Sequence, residues 1–133
     1  MRASIAVVLL TATAPTFACG YCVEDKIAAT YDHAVVTQAL ARKHQVAFFH
    51  VDGAAPSRAV LERAAYSAPG VDKGSVRVAA DLLTVSLAFD PSRATLGAIH
   101  ARIEKTLAAH RVSLMPFEVM ERPGDLKAVK AAR

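Results

Sequence analysis

Two cysteines, Cys19 and Cys22, are the only thiols in this chain and stand as Cys19-Gly20-Tyr21-Cys22. A disulfide between residues this close constrains almost none of the unfolded chain, so bracing is a poor account of the pair. Two other kinds of chemistry suit the spacing. As thiolates the cysteines are soft ligands for Cu(I), Zn or Hg, and two sulfurs alone support linear coordination. A tetrahedral site needs two further ligands, and no second cysteine pair exists to give them. As a dithiol the pair suits thiol-disulfide exchange, provided that a helix N-terminus stabilises the thiolate. Residues 24–43 have the composition of such a helix, with Glu24 and Asp25 at its start and Arg42 and Lys43 at its end, as the helix dipole favours. Ile27, Tyr31, Ala34, Val35 and Leu40 fall near one side, so the helix is amphipathic and needs a surface to cover. Glu24 and Asp25 work against the thiolate. His33 lies eleven residues beyond Cys22, about 15 Å along a continuous helix, and is too far to share a metal with it.

What precedes the cysteines decides their compartment. Arg2, the apolar run 5–10 and small-residue sites ending at Ala14 or Ala18 read as a secretory signal peptide over residues 1–18. This stretch carries Ser, Thr and Pro15 and falls short of the about 20 apolar residues that a membrane span needs. The mature chain is therefore expected to be periplasmic or secreted and to have no transmembrane helix. Competing readings are a retained anchor, a lipid anchor on Cys19 and a buried strand over residues 5–10.

The whole chain has 133 residues, 53% of them hydrophobic, and a formal charge of +4, which fits one folded domain rather than a multidomain enzyme or a disordered chain. It lacks Trp and is rich in Ala, so its core is built from small side chains with a few Val, Leu and Phe. Hydrolytic chemistry finds no support. The serines lack a glycine-framed nucleophile turn, Asp52, Asp72, Asp81 and Asp90 sit mostly at turns, and Gly53, Gly70 and Gly74 form no phosphate loop. No enzyme activity and no organic cofactor are expected, apart from redox exchange by the cysteine pair. The dispersed charge reads as an ordinary solvated face, and nucleic acid is not an expected partner. His50 reads as a sheet-face histidine, and His44, His100 and His110 as residues on or beside helices. Met115 and Met120, five apart on one strand, are expected on opposite faces.

From residue 45 strands and helices alternate. Residues 46–51 form a strand with Phe49 and Val51 on one face and Val46, Phe48 and His50 on the other. Residues 57–68 form a helix with Val60, Leu61, Ala64, Ala65 and Ala68 inward. Strands over 75–80 and 82–89 follow, the second with Leu83, Val85, Leu87 and Phe89 on one face. Asp90-Pro91 starts a helix, with Leu96, Ile99, Ile103 and Leu107 following at spacings of three and four. Residues 112–120 form the last strand, placed at a sheet edge by Pro116, and residues 122–133 a flexible basic tail. The order βαββαβ over residues 45–121 is the ferredoxin-like arrangement, an α+β sandwich with two helices on one face of a four-stranded antiparallel sheet. Its other face is left for the extra N-terminal helix of segment 19–44, or for a second copy in a homodimer.

Phe49-x-Val51-x-Gly53, Ala68-Pro69-Gly70-Val71, Leu87-x-Phe89-Asp90-Pro91 and the helix from Leu96 to Leu107 together resemble the heavy-metal-associated domain family, over residues 45–121. The resemblance implies a small carrier of copper or mercury that passes its ion to a partner protein. That family binds the ion through Met-x-Cys-x-x-Cys between the first strand and first helix. Here the matching stretch is Ala54-Ala55-Pro56-Ser57-Arg58-Ala59, with Pro56 and Ala59 where the cysteines would stand. The metal ligands expected in this chain are therefore Cys19 and Cys22, and the expected function is binding or transfer of Cu(I) or another soft metal ion. The alternatives are a non-metal interaction module of the same fold, or a thiol-disulfide redox protein, since Cys-Gly-Tyr-Cys also resembles the active-site tetrapeptide of thioredoxin-like disulfide isomerases.

Overall fold

The break in the N-terminal helical segment comes from one carboxylate. In a computed structural model describing residues 22–54 and 56–130, the single helix expected over residues 24–43 is two, α1 (Val23–Thr30) and α2 (His33–Ala41). Asp32 accepts hydrogen bonds from the amides of Ala34 and Val35 at 2.9 and 3.1 Å, which caps α2 and leaves Tyr31 extended. Arg77 holds the same carboxylate from the sheet at 2.8 Å.

Five strands form one antiparallel sheet: β1 (Gln45–Gly53), β2 (Arg77–Ala79), β3 (Thr84–Phe89), β4 (Val112–Arg122) and β5 (Asp125–Ala128), in the order β2-β3-β1-β4-β5. Without β5 this is the ferredoxin-like order, and α3 (Arg58–Tyr66) and α4 (Leu96–Leu107) supply its two helices. Alternation along β1 divides the core. Ala47, Phe49 and Val51 pack with Leu61, Ala64, Ile99, Ile103 and Leu107 of α3 and α4. Val46 and Phe48 pack on the opposite face with Val36 and Ala39 of α2, Ala88 and Met120, and Ile27 of α1 joins them. The sheet face left over by the two core helices is thus covered by the chain's own N-terminal helices.

Several local expectations are corrected. The tail contains β5, because Pro123-Gly124, with Gly124 at φ +75°, turns the chain back on β4. The helix expected at Asp90-Pro91 begins at Leu96, capped by the Thr95 hydroxyl. Asp90 instead spends its carboxylate on the amide and hydroxyl of Ser92, closing a local turn. β2 is shorter than expected because Ser75 leaves the sheet, its buried hydroxyl donating to Asp72 O and accepting from Ala88 N.

Pro116 lies in a strand second from the edge by order, yet it breaks no ladder bond. The amide of Val51 donates to Leu83 O at 2.7 Å, so Val51 bonds toward β3 and its neighbour on β4, Leu114, turns its nitrogen outward. Pro116, two residues on, does the same, at a stretch that β5 does not reach. Leu114 N is met there by Glu104 Oε1 at 2.7 Å. A bulge opposite Phe48/Phe49 also inserts one residue in β4, so Met115 and Met120 fall on the same face, opposite His50 and Val46, and not on opposite faces.

Candidate functional site

Cys22 is the exposed residue immediately before α1, in extended conformation, and its carbonyl accepts from the amides of Asp25 and Lys26. Cys19 lies outside the described residues. The seating of α1 fixes toward which end of the sheet Cys22 lies. At its C-terminal end Thr30 O accepts from Ser86 Oγ at 2.8 Å, and Ser86 is the β3 residue opposite Phe48. One turn earlier, Lys26 Nζ lies 3.4 Å from Nδ1 of His50, two residues further along β1. An ammonium can only donate, so Nδ1 carries the lone pair. α1 therefore runs antiparallel to β1. Its first residues head for the end of the sheet from which the β1–α3 loop departs.

That loop holds no soft ligand. Gly53 leaves β1 at φ +100°, where an added Cβ would come within 2.6 Å of Arg111 O, and Ser57 precedes α3. Pro56 is half-buried and Ala59 exposed. Among the described residues, no group of three or more His, Cys, Asp or Glu side chains is placed to hold a metal ion. The donor chemistry of a Cys-x-x-Cys pair still suits a two-coordinate soft ion, which needs no third protein ligand.

The histidines separate. His33 opens α2 and is exposed, and His110 is exposed in the turn after α4. His100 lines a groove of about 370 Å³ with Leu96, Met115 and Pro116; its Nε2 is buried without a hydrogen bond among the described residues, 3.8 Å from Glu104 Oε1. His44 stands between two carboxylates, Asp72 and Asp90. Sequence reasoning missed this cluster, because its three members are distant in the chain and each looks like an ordinary turn or helix-end residue. Asp90 is held below the usual carboxylate range, first by the Ser92 hydroxyl and amide, then by the charges of His44 and Arg93. Asp32 is lowered likewise, by the Val35 amide first and by Arg77 next.

No protein-family profile, curated protein or solved structure matches this chain. Among the described residues no helix is long and apolar enough to cross a membrane.

Proposed function

We propose that this chain binds a soft metal ion of the Cu(I) or Hg(II) type through Cys19 and Cys22 and passes it to a partner protein outside the cytoplasm. The observation that carries the reading is the course of α1, which begins, with exposed Cys22 just before it, toward the sheet end where the β1–α3 loop leaves. In the heavy-metal-associated family, which residues 45–121 resemble, that loop is the metal loop, and here its two cysteines are replaced by Pro56 and Ala59. A displaced pair would then take over the lost role. Exposure suits transfer, since the incoming ligand of a partner must reach the ion. The periplasmic or secreted setting belongs to the same proposal and rests on residues 1–18. A second copy on the sheet face is no part of it, because α1 and α2 already lie there.

The test is an anaerobic Cu(I) titration of the reduced chain beginning at Cys19, against a competing chelator, with a thiol count on protein taken from its native compartment. One tightly held ion per chain is expected. A stable disulfide without Cu(I) uptake would replace the reading by thiol-disulfide exchange. Free thiols without uptake would leave a non-metal interaction module.

A further inference from the structure

His44 lies between α2 and β1, where Lys43, at φ 61°, turns the chain into the sheet. Its ring faces carboxylates from two other parts of the fold. Nδ1 is 2.9 Å from Oδ2 and 3.1 Å from Oδ1 of Asp72, in the connection from α3 to β2. Nε2 is 3.7 Å from Oδ2 of Asp90, just after β3. The three side chains are only 17%, 13% and 22% exposed. Backbone bonds fix both aspartates independently of the ring: Asp72 N donates to Ala88 O at 2.8 Å, and Asp90 N to Gly70 O at 2.9 Å.

A neutral imidazole has one N–H and one lone pair, so in either tautomer one of these carboxylates faces a lone pair. Only the doubly protonated ring turns a donor toward both. We propose that His44 is a proton-operated clasp: with both nitrogens protonated it holds the end of α2 against Asp72 and Asp90, and losing one proton loosens the helical layer from the sheet. Other charges at the cluster are Arg42, which donates to Asp72 at 3.3 Å from the end of α2, Lys73, which lines a shallow pocket with Arg42 and Asp72, and Arg93, in the turn after Asp90. Arg42 keeps its hold on Asp72 in both states, so the Asp90 side releases first. The layer that loosens includes α1 and Cys22, yet the clasp stands whether or not the cysteines bind metal.

Ring ¹⁵N chemical shifts of the full chain at pH 7 read the protonation state directly. His44 is expected to show two protonated nitrogens; a single neutral tautomer at His44 overturns the proposal. Melting temperatures at pH 6 and pH 8 test the consequence. The wild type should lose stability between the two, and His44→Gln should lose measurably less, with Asp90→Asn as the second variant should the first fail to fold. An equal fall in wild type and variants also overturns it.

Discussion

The buried hydroxyl of Ser86 donates to the main-chain carbonyl of Thr30 at 2.8 Å, joining a central strand to the last turn of α1 across 56 residues of sequence. Helix C-termini leave carbonyls without intrahelical partners, and this one is satisfied by the sheet. Ser86→Ala leaves the buried carbonyl unpaired and is expected to cost about 1–3 kcal/mol in urea unfolding. A variant as stable as the wild type would mean that α1 is held by apolar contact alone.

Cys22→Ser should abolish stoichiometric Cu(I) binding and leave the melt nearly unchanged, because the residue is exposed and serine is a favourable residue before a helix. Retention of one tightly bound ion would remove Cys22 from the ligand set.

Leu87 is fully buried between β1 and the α3/α4 layer. Leu87→Ala should cost about 2–5 kcal/mol, the range for such a substitution in a packed core. Equilibrium denaturation measures it, and a cost near zero would contradict the burial.

Asp32 and Asp90 both have carboxyls below their ordinary value of 3.8 in the folded chain. Each thus contributes stability that is present above that value and is lost as pH falls through the depressed one. Acid unfolding followed by circular dichroism should steepen below about pH 4, with a shallower fall in the Asp32→Asn, Asp90→Asn double variant. Superimposable acid limbs would show that these groups do not drive it.

Glu104 covers the open stretch of β4, accepting from Leu114 N and the Ser113 hydroxyl, beside Pro116, which has no N–H to offer. Glu104→Ala should cost about 1–3 kcal/mol and raise self-association at high concentration, since it uncovers a strand edge. Light scattering would detect the second effect.

Much of the fold was legible because it depends on period. Phe49 and Val51 against Val46 and Phe48, or Ile99, Ile103 and Leu107 on one helix stripe, assign faces without knowledge of any neighbour. The unpaired sheet face and the unpaired N-terminal helical segment pointed to each other for the same reason. What failed were decisions taken by single polar side chains. Asp32 splits a helix and Asp90 declines to start one, and in both cases the composition suited helix while a local side-chain bond won. The bulge in β4, which puts Met115 and Met120 on one face, also leaves no trace in the pattern.

The candidate site divides along the same line. Sequence alone determined that this chain has one close pair of thiols, that the β1–α3 loop lacks them, and that a βαββαβ order follows, because residue identity and spacing suffice for each. Only the tertiary structure decided that α1 runs antiparallel to β1 and that His44 meets Asp72 and Asp90. Those are contacts between segments far apart in the chain, set by which buried surfaces pack together, and no local period encodes them.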